Sequence, residues 1–219
     1  MADTAVFDVD GTLVDSNYQH ALAWHRAFRR HDLAYPLWRL HRLIGMGGDQ
    51  YVPAVAGDAV ERDHGESLRE AWVEEFDKLI DEVEPFDGAK ELLVEVKRRG
   101  FRVVLASSGK KQHVDHFLDA IGGRDVAEAW TTSDDVERSK PHPDLVAVAV
   151  EKVEGARAAM LGDSVWDIKA AQQIDVPTIG LRTGGYSVGE LTDAGAVKVY
   201  ESLRDLIDDL DATPFGRPD

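Results

Sequence analysis

Val6-Phe7-Asp8-Val9-Asp10-Gly11-Thr12-Leu13-Val14-Asp15-Ser16 is the stretch on which the reading of this chain turns. Ala5-Val6-Phe7 is a short apolar run of the length and character that suit a buried strand. It stops at once in two carboxylates, a glycine and a threonine. Side chains alternate along an extended chain, so Asp8 and Asp10 point to the same side. Held together and unpaired, each acid raises the other's pKa. A chain accepts that cost when a cation neutralises one acid, or when one works charged and the other protonated. Gly11 permits a sharp exit from the strand, and Thr12 adds a hydroxyl and a free backbone amide. A strand ending in an acidic Asx-type turn is written with the same letters.

Moving outward, Asn17 to about His31 is patterned as an amphipathic helix by Ala21, Leu22, Trp24, Ala27 and Phe28. Pro36 starts a second helix on Leu37, Trp38, Leu40 and Leu43, which ends at Gly45-Met46-Gly47-Gly48. A third runs from about Glu66 to Asp81 on Leu68, Trp72, Phe76, Leu79 and Ile80. Nothing from Asn17 to Glu82 reads as strand. From Val83 onward the rhythms alternate. Strands are expected at Phe101–Ala106, Glu128–Thr131, Ala158–Leu161 and Val176–Leu181, with an edge strand at Val197–Tyr200. Helices are expected at Ala89–Arg99, Gln112–Ile121, Pro143–Val153, Ile168–Gln173 and Leu203–Leu210. This predicts an α/β fold, a doubly wound Rossmann-like parallel sheet covered on both faces, with an inserted all-helical cap. The expected division is a core of residues 1–16 and 84–219 and a cap of residues 17–83, hinged near Val14–Asn17 and Val83–Asp87. The tail from Ala212 is expected to be mobile.

At 219 residues and 43% hydrophobic, the chain buries a sizeable core as one medium domain with an insertion. No apolar run approaches the ~20 residues that cross a bilayer. Asp3 and Asp8 come too early for a secretory signal, so a cytoplasmic protein is expected. The absence of cysteine excludes disulfides, thiol catalysis and thiolate metal sites. With 25 basic against 41 acidic residues, the net charge of −16 argues against nucleic acid or an anionic membrane as partner. The same charge repels a phosphorylated ligand, so a site for one must carry its own local positive charge.

Ligands of an open parallel sheet bind beyond the carboxyl ends of its strands. The first strand ends in Asp8 and Asp10, and the second in Ser107-Ser108-Gly109-Lys110. The next crossover carries Lys140-Pro141, and the strand at 158–161 gives Gly162-Asp163-Ser164, with Asp167 one helical turn on. Singly, these read as a turn, a helix cap, a solvated lysine and acids at a helix start. Jointly, they suit a divalent cation with oxygen ligands and a phosphoryl group beside it. His113 and His116 lie three apart on a helix with no third ligand in view, and read as a solvated face.

The set resembles the haloacid dehalogenase-type hydrolases, aspartate-based phosphotransferases whose four motifs match Asp8 to Thr12, Ser107, Lys140-Pro141 and Gly162 to Asp167. The helical insertion is similar to the cap of the branch that holds phosphoglycolate phosphatase and β-phosphoglucomutase. The resemblance spans nearly the whole chain and implies an Mg²⁺-dependent phosphatase acting on a small phosphorylated metabolite. It implies Asp8 as nucleophile, Asp10 as acid and base, Ser107 and Lys140 on the phosphoryl oxygens, and Ser108 and Gly109 as substrate contacts. It implies Mg²⁺ on Asp8, Asp163 and the backbone carbonyl of Asp10, with Asp167 behind them or acting through water. Dehalogenating members lack an acid two residues after the nucleophile, and Asp10 disfavours that chemistry. Gly47 and Gly48 could offer backbone amides to a substrate, although helix termination explains them better. The loop Gly47-Gly48-Asp49 has no basic residue of the kind that grips a distal phosphate in the sugar-phosphate mutases, which favours a phosphatase. His20 and Trp24 resemble the mutase cap helix, so the mutase stays as an alternative. Receiver-type phosphoacceptor modules share an acidic pocket, a hydroxyl and a lysine, but not Asp10 or a nucleophile on the first strand.

Overall fold

The computed structural model describes residues 2–216. Short apolar runs bounded by turn residues become six parallel strands: β1 Thr4–Phe7, β2 Arg102–Ala106, β3 Ala129–Thr131, β4 Ala158–Gly162, β5 Thr178–Leu181 and β6 Lys198–Tyr200. They lie in one sheet in the order β3-β2-β1-β4-β5-β6. Phe7 pairs with Leu105 of β2 on one side and with Leu161 of β4 on the other. The chain winds outward from β1 to β3, then returns to β4 and winds the other way. Asp8 and Asp163 therefore emerge side by side where the winding reverses, the place at which such sheets open a crevice.

The period of two distributes the strand residues to both faces. Ala5, Phe7, Val103, Leu105, Ala159 and Leu161 face one core, which α5 (Ala89–Arg98), α6 (Lys111–Ile121) and α10 (Leu203–Asp208) help to build. Val6, Val104 and Met160 face α7 (Asp144–Lys152) and the Ala170-Ala171 turn of α8 (Val165–Gln172). This is the doubly wound architecture expected from the alternation.

Between β1 and β2 stand α1 (Asn17–Arg30), α2 (Leu37–His41), α3 (Gly48–Ala56) and α4 (Asp58–Phe76), with no strand among them. Trp24, Phe28, Tyr51, Leu68, Trp72 and Phe76 fill their common core. The two chain crossings that carry this insertion pair with each other: Asp15 N donates to Glu84 O at 2.9 Å, and Phe86 N donates to Leu13 O at 2.9 Å.

Four sequence readings are corrected. Gly47 and Gly48 cap and begin α3 rather than end α2, which stops at His41, and Gly47 has no room for a β-carbon because Ser139 presses on it. α4 starts at Asp58, eight residues before Glu66, since its first turns bury little and its apolar period is faint there. His113 is buried rather than solvated: its Nε2 lies 2.7 Å from an Asp77 carboxylate oxygen, and its ring meets Phe76 edge-on at 4.8 Å. The tail from Ala212 is ordered as far as it is described. Phe215 is wholly buried, 5.3 Å from the Phe7 ring and 6.0 Å from Phe101. Residues 217–219 of that expected tail lie outside the described residues. A further helix, α9 (Val188–Ala194), is closed by a capping box of Ser187 and Glu190, a sequence signal that the periodicity reading passed over. Among the described residues no helix is long and apolar enough to cross a membrane.

Truncating the terminal plug, Phe215→Ala, is expected to cost ~3–5 kcal/mol, as for a large aromatic removed from a packed core. Urea unfolding measures this, and a loss under ~1 kcal/mol would show that the plug does not support β1.

Candidate active site

The site grows from the turn after β1. Asp8 N donates to Leu161 O at 2.9 Å, which prolongs the ladder by one residue and aims the Asp8 carboxylate along the top of the sheet. Gly11 turns the chain at φ +76°, a value that favours glycine, and a β-carbon there would run into Asn17 and Asp163. The Thr12 hydroxyl, brought back under the strand end, lies 3.2 Å from Asp8 Oδ2 and 3.1 Å from Asp163 Oδ1. Lys140, 1% exposed, donates from Nζ to Asp8 Oδ1 and, at 2.7 Å, to Asp167 Oδ1. The other Asp167 oxygen accepts from Ser164 N at 3.1 Å and Ser164 Oγ at 2.6 Å, the reciprocal cap that starts α8.

One oxygen from each of Asp8, Asp163 and Asp167 lies within 4.8 Å of the others, all three residues being buried. Burial and the neighbouring Asp167 carboxylate push Asp8 well above its ordinary value despite the Lys140 ammonium. Burial, again with Asp167, pushes Asp163 up to about 7, although Asn17 and Thr12 hydrogen-bond to it. Lys140 is raised despite its burial, because Asp167 and Asp8 flank its ammonium, so it stays charged. Three acids served by one ammonium lack a positive charge, and hard carboxylate oxygens at this spacing suit Mg²⁺.

Asp10 stands apart from that cluster. Its Oδ1 lies 2.8 Å from His20 Nε2 and accepts from Ser16 Oγ at 3.1 Å; its Oδ2 accepts from Ser107 Oγ at 2.8 Å. Burial pulls this carboxyl up, but the His20 and Ser107 contacts outweigh it and hold the group at about 2. Ser107 thus commits its one proton to Asp10, while its oxygen accepts from Gly109 N at 2.9 Å. The His20 ring stacks on Phe76 at 4.0 Å and lies 5.5 Å from the Trp72 ring.

A cavity of about 230 Å³ opens over these groups. Asp8, Asp10 and Lys140 line it from below, Ser108 and Gly109 from the side, and His20, Gly47 and Gly48 from the insertion. Asp163, Asp167 and Ser107 sit behind that wall, and Asp163 and Ser107 touch its lining carboxylates through hydrogen bonds or charge. All residues singled out from the sequence therefore converge. Asn17 was not among them, yet its Nδ2 donates to Asp163 Oδ2 at 2.7 Å from the first residue of α1. A buried asparagine next to an acid-rich turn was the available signal.

The loop Gly45–Asp49 has a base after all. Arg69 reaches it from α4, with Nη1 3.3 Å from Gly48 O and 2.9 and 3.0 Å from the two Glu61 carboxylate oxygens. Twenty-one residues separate Arg69 from Gly48, so no local spacing announced it.

With four motifs assembled at one sheet edge, comparison with known proteins decides the assignment: the haloacid dehalogenase-like hydrolase profile matches residues 2–175. The chain belongs to the haloacid dehalogenase-like hydrolases. Within that family it is 29% identical over 189 residues to validoxylamine A 7'-phosphate phosphatase of Streptomyces hygroscopicus subsp. limoneus, covering 84% of this chain and 87% of that one. It is 30% identical over a 235-residue alignment to phosphoglycolate phosphatase of Escherichia coli K12, covering 92% and 89%. The crystal structure of a hydrolase from Pseudomonas syringae superposes with a TM-score of 0.89 at 33% identity, over 95% of this chain and 98% of that one.

Asp8 and Asp163 bind a proton more tightly folded than unfolded. The Asp163 contribution to metal-free stability is complete below pH ~4 and lost as pH rises through about 7, and Asp8, raised for the same reason, acts in the same direction. A divalent cation replaces those protons, so the rise in Tm that Mg²⁺ gives to EDTA-treated protein is expected to be larger at pH 8 than at pH 5. Equal shifts at the two pH values would remove the carboxylate cluster as the metal site.

Proposed function

We propose that this hydrolase is an Mg²⁺-dependent phosphatase that cleaves a small phosphorylated metabolite through an aspartyl-phosphate on Asp8. The observation that carries this reading is the placing of Asp8 under the cavity with the Lys140 ammonium on one oxygen and Asp10 beside it. The core of residues 1–16 and 84–219 would supply the chemistry, and residues 17–83 would form a cap over it.

Asp8, Asp163 and the backbone carbonyl of Asp10 would hold Mg²⁺, with Asp167 supporting them through Lys140. Bound there, the ion neutralises the carboxylates and the phosphate so that two anions can meet. An ionised Asp8 oxygen needs no base to attack phosphorus. The bond from phosphorus to the leaving oxygen breaks, and Asp10 gives that oxygen a proton. Asp10 is ionised in the resting arrangement, so it takes this proton from solvent or from the substrate's own phosphate monoanion once the phosphoryl group's negative charge lies beside it. In the second half, Asp10 takes a proton from the water that attacks the aspartyl-phosphate, and inorganic phosphate leaves. Lys140 pairs with the phosphoryl oxygens throughout. Ser107 holds Asp10 and, on rotating, offers its hydroxyl to the same oxygens.

Arg69 gives the mutase reading one observation in its favour, a guanidinium at the far side of the cavity. Glu61 engages it with both oxygens, which leaves it poorly placed to grip a second phosphate and favours hydrolysis.

Phosphate release over a panel that includes phosphoglycolate and cyclitol and sugar phosphates tests the reaction. Free phosphate is expected, whereas isomerised sugar phosphate in the presence of trace bisphosphate would support the mutase. Asp8→Asn is expected to lose turnover with the fold intact by circular dichroism, and full activity would end the covalent mechanism. Asp10→Asn is expected to lower kcat by ~10²–10⁴-fold.

A further inference from the structure

The loop that closes the cavity from the insertion presents a carboxylate, Asp49, beside the lysine expected to bind phosphate. A free anion there would repel the ligand. Asp49 is not free. Ser139 donates its backbone N–H to Asp49 Oδ2 at 3.1 Å and its hydroxyl to Oδ1, and Gln50 Nε2 donates to Oδ2 at 2.8 Å. Burial pulls the Asp49 carboxyl up, and these hydrogen bonds outweigh it and hold the group below its ordinary value. The contact is also steric, for a β-carbon on Gly47 would collide with Ser139. Ser139, 3% exposed, immediately precedes Lys140. One carboxylate on the helical insertion thus holds the backbone that carries the ammonium, across 90 residues of chain.

We propose that Asp49 is a positioning residue for Lys140: seating the loop Gly45–Asp49 on Ser139 fixes the lysine's backbone, so the phosphoryl-binding ammonium is fully placed only when the cap is closed. The far end of the side chain is already held by Asp8 and Asp167. Asp49 supplies the grip at the near end. This explains why an acid, of the wrong sign for the substrate, occupies the loop. The kinetic consequence rests on the phosphatase reading.

The test compares Asp49→Ala, Asp49→Asn, Ser139→Ala and the double variant Asp49→Ala with Ser139→Ala. For p-nitrophenyl phosphate with saturating Mg²⁺, Asp49→Ala is expected to lower kcat by about 10–10²-fold, in the range of a slightly misplaced catalytic group. KM should stay within about threefold, because the residue does not grip the substrate. Asp49→Asn keeps one acceptor oxygen and should recover part of the loss. The double variant should be no slower than Asp49→Ala, as for two ends of one contact. Hydrogen exchange of the Ser139 amide is the arm that needs no turnover. It should quicken at least ~10-fold in Asp49→Ala, while peptides from β1 and β4 keep their wild-type protection. A raised KM with unchanged kcat, losses that multiply in the double variant, or unaltered exchange at Ser139 would each overturn the proposal. A wild-type protein inert towards every phosphate ester would instead count against the phosphatase reading, and the exchange arm would then judge the contact alone.

Discussion

The Lys140 ammonium, shared between Asp8 and Asp167 where almost no water reaches, is the interaction on which the rest of the site depends. Two unit charges ~4 Å apart interact by roughly 4 kcal/mol at an effective dielectric near 20. Three carboxylates at this spacing therefore oppose the folded state unless positive charge is brought to them. One ammonium serves two of them, and neutral donors serve the others: Asn17 at Asp163, Ser164 at Asp167, and the single Thr12 proton divided between Asp163 and Asp8. The deficit that remains is a physical demand for a cation. It follows from sheet order, because reversing the winding between β1 and β4 is what sets Asp8 beside Asp163.

The helical insertion does more than roof this cluster. Asn17 reaches Asp163, His20 reaches Asp10, and Asp49 reaches the residue before Lys140. Three of the four motif-bearing segments of the core therefore share a hydrogen bond with the insertion. The remaining one, at Ser107, is joined to His20 through Asp10. His113, buried against Phe76 and bonded to Asp77, ties α6 to the end of α4 and closes the same seam from the opposite side. Chemistry that belongs to the sheet is thereby oriented from the helices.

Much of this was legible in the sequence, for reasons that differ by element. The strands show as short apolar runs, and the parallel order makes their exits coincide, so Asp8, Ser107, Lys140 and Asp163 could be gathered without coordinates. Asp10 was legible as a second carboxylate but not as the partner of His20, since that contact depends on how α1 leaves the turn. Arg69, Asp49 with Ser139, and His113 with Asp77 escaped the reading because each is a pair distant in sequence, and period and spacing carry no information about such pairs. Helix α3 was hidden by the glycines at its start, which look like a terminator until Ser139 is seen against Gly47 and Arg69 against Gly48. Phe215 escaped for a different reason, as a single aromatic among turn residues has no periodicity to announce its burial.

That aromatic has a consequence for the order in which the molecule is made. Phe7 leaves the ribosome well before the ring that seats against it, which follows only after all the intervening chain. The Phe7 face of β1 therefore lacks that ring while every other strand of the sheet is being translated. A nascent chain can gather its motifs during that interval but seats Phe7 on this ring only once residue 215 has emerged, so the turn that carries Asp8 gains its finished mounting after the rest of the sheet.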